Sequence, residues 1–278
     1  MKRFSLLLVI IGIFGLLVEN CEKSDDPDEA GSGPFDPPSG ISFVTYEDSV
    51  AISWNHTPDA GDTGFVGYYL YTRIAPLENV ETESLFTYRI FDDPVDQAEY
   101  TVMETVSTSK HYYGLRSVKI VDAETTYSEL SSEVHTSPTL WGGGMVVESD
   151  AGSTAGIDFS EDSVHAMTLA NLNFVDIYLG VDSENNLQWR SPELYGDDWA
   201  DRNSAVKVLG TGLFSDFYAA GSDGWLDTVK VDLGKIYAFR TPDNHYVKLI
   251  VEDLSGIYPN RTVQFSFAYQ DVVNYDRF

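Results

Sequence analysis

Ile236-Tyr237-Ala238-Phe239-Arg240-Thr241 runs into Pro242-Asp243-Asn244-His245 and out again through Tyr246-Val247-Lys248-Leu249-Ile250-Val251. Two runs rich in β-branched and aromatic residues flank four polar turn formers, a pattern that predicts an antiparallel hairpin. Upstream in the same half, from about 140 to 278, the pattern recurs. Met145-Val146-Val147, Gly156-Ile157-Asp158-Phe159, Val175 to Gly180, Ala205 to Leu209 and Thr228 to Val231 each read as strands, and Val263 to Tyr269 reads as the closing one. Glu193 to Asp201 and Leu213 to Ala220 each hold room for one short helical turn.

Working outward, residues 39–137 carry the same period of two. Ile41 to Val44 alternates, and Val50-Ala51-Ile52-Ser53-Trp54 puts Val50, Ile52 and Trp54 on one face. Gly67 to Arg73, Tyr100 to Val102, Tyr112 to Val118 and Tyr127 to Val134 complete a set of strands spaced as in a β-sandwich of about 100 residues. Pro138 and Trp141-Gly142-Gly143-Gly144 interrupt this pattern. They place a domain boundary at 137–140, the glycines being otherwise a bulge or a point of tight backbone approach. The fold class is therefore all-β. An immunoglobulin-like sandwich spans 39–137, and a second antiparallel β-rich domain spans 138–278.

In the first domain, Pro37-Pro38 with Ile41, Trp54, Gly67-Tyr68-Tyr69-Leu70-Tyr71, and Tyr113 to Val118 followed by Ser128-Glu129-Leu130-Ser131 resemble a fibronectin type III domain. That resemblance implies a spacer or protein-binding module. The insertion from Pro76 to Gln97 is longer and more acidic than the family's pattern, and no Arg-Gly-Asp is present. In the second domain, Val175 to Gly180, the Tyr237 to Val251 hairpin and the Val263 to Tyr269 strand resemble the C-terminal part of HmuY-like surface lipoproteins. Some members of that family capture haem through paired axial ligands. Carried onto this chain, haem would be held by His165, with Met167 as its possible second ligand. His245 reads instead as an exposed turn residue.

The N-terminus places the cargo. Lys2-Arg3, an apolar run from Leu6 to Val18, and then Cys21 resemble a lipoprotein export signal (residues 1–20). Glu19-Asn20 departs from the small residues usual before the cysteine. Cys21 is the chain's single cysteine, so lipidation there leaves none for a disulfide. Residues 21–38 are acidic and rich in Gly and Pro, which reads as a disordered tether. The expected location is the cell envelope, at the outer membrane or cell surface, held by a lipid anchor.

The formal net charge of −27 repels nucleic acid. No Gly-x-Ser-x-Gly, His-Glu-x-x-His or cysteine pair occurs, so no nucleophile or zinc set is legible. The acidic pairs Asp92-Asp93, Asp197-Asp198 and Asp223 with Asp227 read as solvated faces among 44 acidic residues. Asp182 with Glu193 has the spacing of a calcium loop, but Leu187 stands where that loop turns on Gly. A looser calcium site would draw on Asp158, Asp182, Asp197, Asp198 and Asp223. Trp189, Trp199 and Trp225, each beside polar residues, either stack on a sugar or anchor a partner, or else cap the sandwich. The sequence thus points to a non-catalytic lipoprotein whose β-domain binds a ligand or partner. Haem capture and a glycan-binding or glycan-active secreted protein are the alternatives. The ligand-binding candidates are His165, Met167, Trp189, Trp199 and Trp225.

Overall fold

The computed structural model describes residues 35–103, 109–151 and 154–278, which belong to one compact unit. The signal segment, Cys21 and the tether up to residue 34 lie outside the described residues. The last residues assigned to the tether are docked rather than free. The Asp36 carbonyl oxygen accepts bonds from Thr57 Oγ1 at 2.8 Å and Ser117 Oγ at 3.1 Å, and Lys119 Nζ lies 4.9 Å from the Phe35 ring centroid.

Among the described residues every strand pairing is antiparallel. Its first half places β1 (Ser39–Thr45), β2 (Ser49–Asn55) and β4 (Glu99–Met103) in one sheet. The facing sheet holds β3 (Phe65–Arg73), β5 (His111–Val121) and β6 (Glu124–Tyr127), with β7 (Val134–Thr136) also on β5. Tyr127 to Val134 is therefore two short strands rather than one, broken where Ser128 and Ser131 turn their hydroxyls to backbone N–H groups of β5. Val50, Ile52 and Trp54 share the buried face with Tyr68, Leu70, Tyr113 and Leu115. The other face of β3 is covered too, because the acidic insertion folds over it. Two 3-10 turns, Leu77–Asn79 and Thr82–Tyr88, bring Leu77 and Leu85 onto Tyr69 and Tyr71. A strand buried on both faces reads as a continuous apolar run, and that explains Gly67 to Tyr71.

In the second half, β9 (Thr154–Asp158), β10 (Ser163–Ala166), β11 (Ile177–Val181), β12 (Leu187–Arg190) and β14 (Thr228–Lys230) form one sheet in the order β10-β9-β11-β12-β14. The second sheet runs β13 (Ala205–Gly210), β15 (Ile236–Arg240), β16 (Tyr246–Ser255), β17 (Thr262–Gln270) and then β8 (Leu140–Val147). The expected hairpin is β15–β16, paired from Ile236↔Ile250 to Arg240↔Tyr246. Between the sheets lies one aromatic core that includes Phe159, Trp189, Tyr237, Phe239, Phe265 and Phe267. It shares no residue with the core of the first half.

The glycine run does not break the chain's pattern. β8 passes through Trp141 to Gly144 and pairs with β17 over eight residues, from Leu140↔Tyr269 to Val147↔Thr262. The reason is close approach. A Cβ on Gly142 would lie 2.4 Å from Phe267 Cζ, and one on Gly143 would lie 2.7 Å from the Phe265 carbonyl oxygen. The helical turns expected near 193–201 and 213–220 are 3-10 turns at Pro192–Leu194, Asp197–Trp199 and Phe214–Asp216.

Candidate functional site

A cavity of about 580 Å³ opens at one end of the second sandwich. There the β9–β10 turn and the loop from Asn171 to Asp176 meet the β15–β16 turn, and the wall includes Asp158, Glu161, His165, Phe174, Asp176 and Asp243. Each carboxylate is placed by its local fold. Asp158 ends β9 and is buried. Its Oδ1 accepts the Ser160 N–H at 3.0 Å, the Ser160 hydroxyl at 2.8 Å and the Glu161 N–H at 3.2 Å, which caps the turn. Asp176, also buried, accepts the Phe159 N–H on Oδ2 at 3.1 Å and faces Arg202 Nη2 from Oδ1 at 3.3 Å. The same guanidinium reaches Asp243 Oδ2 at 3.3 Å, so one arginine ties the cavity floor to the hairpin turn. Burial pushes the Asp176 carboxyl up to about 7, with the Asp158 charge adding to the rise. The Phe159 N–H and Arg202 oppose it.

Of the five ligand-binding candidates His165 lines this cavity, and Asp158 from the looser calcium set lines it too. It sits on β10 opposite Gly156, bonds Ser163 Oγ through Nε2 at 2.8 Å, and lies 3.9 Å from Asp158 Oδ2. Its ring stacks on Phe174 at 5.7 Å with an interplanar angle of 24°. Phe174 is half exposed and presents an aromatic face beside the amides of Asn171 and Asn173.

The other candidates lie elsewhere. Met167 and Trp199 do come together, but inside a closed cluster with Ala155, Val175 and Tyr178 on the outer face of the β9–β11 sheet. A Cβ on Gly156 would meet Val175 at 2.7 Å and the Met167 sulfur at 3.1 Å, so glycine is what lets this cluster close. His165 and Met167 therefore do not face a common ligand. Trp189 is not in a loop. It is on β12, fully buried, edge-on to Phe239 at 6.0 Å and to Phe265 at 6.3 Å. The polar residues beside it in sequence belong to the opposite side of the strand. Trp199 is likewise buried within its 3-10 turn. Trp225 is half-buried and packs at the edge of the other sheet, with Lys207 Nζ 4.8 Å from its ring centroid and Tyr246 edge-on at 5.8 Å.

The carboxylate of the calcium-like loop is used locally. Asp182 Oδ1 accepts the N–H groups of Glu184 and Asn186, both at 2.8 Å. Among the described residues, no three of His, Cys, Asp and Glu converge as a metal site. The looser calcium set is accordingly dispersed rather than gathered. His245, expected to be an exposed turn residue, is half-buried. It stacks on Tyr269 at 5.2 Å and reaches the Gln270 carbonyl oxygen at 3.2 Å.

No family model matches the chain, and no curated protein matches it. Among solved structures, it is similar to a fibronectin type III-like protein from Clostridium thermocellum (17% identity over 37% of this chain and 92% of that one, TM-score 0.28). It is similar to the FN5 domain of Drosophila Lar (17% identity over 38% and 97%, TM-score 0.24). It is also similar to a family 28 exopolygalacturonase of Yersinia enterocolitica (14% identity over 44% and 23%, TM-score 0.26). What makes the first half fibronectin type III-like is its strand order, β1-β2-β4 facing β3-β5 with β6 and β7.

The sequence reading missed Phe174 and Asp243 as wall residues and Asp176 as a buried acid. Asp176 left a signal, a lone carboxylate between Val175 and Ile177 in an otherwise apolar run. A charge in such a place is kept only when the fold supplies partners for it.

Proposed function

We propose that this is a non-catalytic cell-envelope lipoprotein, acylated at Cys21, whose fibronectin type III-like sandwich displays a HmuY-like second sandwich that binds a saccharide ligand. The observation that carries the ligand class is the wall of the end cavity. An exposed aromatic face, Phe174, lies beside carboxylates and amides that can accept and donate to paired hydroxyls. Pockets of this size with a few convergent polar groups suit one or two sugar rings.

The same wall does not fit haem. A porphyrin needs an apolar slot, and its propionates would face Asp158, Glu161, Asp176 and Asp243. The thioether of Met167, the second ligand the resemblance would need, is closed into the cluster around Trp199.

A glycan array probed with the purified chain tests the reading. Binding that is lost in both Phe174→Ala and Asp243→Asn supports it, while binding indifferent to both removes the site. Haemin titration is expected to give no Soret shift. Sugar hydrolysis abolished by Asp158→Asn would force an enzyme reading. Membrane attachment is tested separately, by mass spectrometry of the mature N-terminus and by release of a Cys21→Ser variant from the membrane fraction.

A further inference from the structure

A second cavity, of about 250 Å³, lies where the two sandwiches meet, and it is unrelated to the one around His165. Phe43 and Tyr46 from β1 and its following turn face Trp141, Phe214, Tyr218 and Lys248. Its walls are aromatic. Tyr46 stacks on Trp141 at 6.2 Å and 22°, Phe214 meets Trp141 edge-on at 5.4 Å, and Phe43 meets Tyr218 edge-on at 6.5 Å. Lys248 is the single charged side chain in the wall.

The chemistry of Lys248 is unusual for so acidic a chain. The residue is 4% exposed. Its Nζ donates to the carbonyl oxygens of Phe214 and Phe217, both at 2.9 Å, and lies 4.2 Å from the Phe214 ring centroid. Among the described residues it has no carboxylate within ion-pair distance. An ammonium has three donors, and these two bonds use only two. A buried cation is expected to be paired, because leaving it unpaired is costly. Here 44 acidic side chains are available in the sequence, yet none lines this cavity. Burial accordingly pushes the Lys248 ammonium down to about 8.

We propose that this inter-sandwich cavity binds a small aromatic monocarboxylate, its carboxylate on the Lys248 ammonium and its ring between Tyr46, Trp141 and Phe214. The charge count selects the class. A neutral ligand leaves the lysine unpaired, and a phosphate dianion leaves a second charge stranded among aromatic rings. The volume, below the ~300–1,000 Å³ of drug-sized pockets, limits the body to one or two rings.

Phenylacetate and its uncharged isostere phenylacetamide test this by calorimetric titration of the full chain at pH 7. Saturable phenylacetate binding at one site, at least about tenfold tighter than phenylacetamide, is the expected result. Lys248→Met removes the preference, and Trp141→Ala weakens both probes. Equal binding of acid and amide, or no saturable phenylacetate binding, overturns the proposal in the wild-type chain alone, whether or not Lys248→Met folds. A preference that survives in a folded Lys248→Met chain overturns it as well.

Discussion

Lys248 also makes a prediction about stability. Its proton affinity falls from an ordinary value of 10.5 to about 8 in the folded chain, because burial against the Phe214 and Phe278 rings disfavours the charge. At ~1.36 kcal/mol per tenfold change in affinity, the gap amounts to about 3 kcal/mol. The unfolded chain holds this proton more tightly than the folded one. Between pH 8 and 10.5 it therefore binds more protons, and stability contributed by this group rises with pH across that window. Below pH 8 the full cost of the buried ammonium is present. Urea unfolding of the wild type and of Lys248→Met, followed by tryptophan fluorescence from pH 7 to 10.5, isolates the effect, because other titrating groups cancel in the difference. The two carbonyl oxygens left without a donor in the variant add an offset that does not vary with pH. The wild type is expected to gain about 3 kcal/mol on the variant over the window. A difference that stays flat would refute the claim that this ammonium is buried without an anion.

Three further outcomes follow from burial and pairing. Trp189→Ala, in the aromatic core, should cost about 3–5 kcal/mol in urea denaturation, whereas Trp225→Ala should cost under about 1 kcal/mol. Equal costs would contradict their placement. Glu148 is fully buried and paired to Arg261 through Nε at 3.1 Å and Nη2 at 2.5 Å, so Arg261→Ala should lose about 3–5 kcal/mol by stranding that charge. Retained stability in Arg261→Ala would argue against the pair. Tyr275→Phe removes a hydroxyl that donates to the His135 carbonyl oxygen and lies 2.8 Å from His135 Nδ1, and should cost about 1–3 kcal/mol by calorimetry. An unchanged melting transition would mean that this contact contributes nothing.

Much of the fold was legible because sheet faces repeat every two residues. Val50, Ile52 and Trp54 shared a face as their spacing required, and the β15–β16 hairpin fell at its polar turn. The failures have physical causes. Glycines at 142–144 resemble a linker in sequence. The sequence left tight backbone approach as their alternative reading, and Phe265 and Phe267 on the partner strand decide for it. Tryptophans beside charged residues resemble surface anchors, but alternation on β12 sends Gln188 and Arg190 one way and Trp189 the other. The candidate cavity was barely legible at all. Asp158, Phe174 and Asp243 come from the end of β9 and two separate turns, and no local pattern records that tertiary meeting. Asp176 and Lys248 did leave a trace, since each is a lone charge within a buried strand-like run.

The junction between the halves bears on what the first sandwich is for. If it were only a spacer, a loose joint would serve, and the connecting residues would face solvent. Instead Thr136 to Thr139 are all buried. The Thr139 N–H donates to the Tyr46 carbonyl oxygen at 3.3 Å, and Trp141 Nε1 donates to Thr139 Oγ1 at 3.0 Å. His135 is bonded to Tyr275 across the junction, and Lys110 Nζ lies 5.5 Å from the same ring's centroid. Contacts of this kind on both sides of a short connection hold the two sandwiches together within one compact unit. The cavity beside Lys248 takes walls from both, so a ligand there would bind only while they stay in contact and would stabilise that contact by mass action. On that proposal the first sandwich would supply Phe43 and Tyr46 to the site as well as holding the second in place.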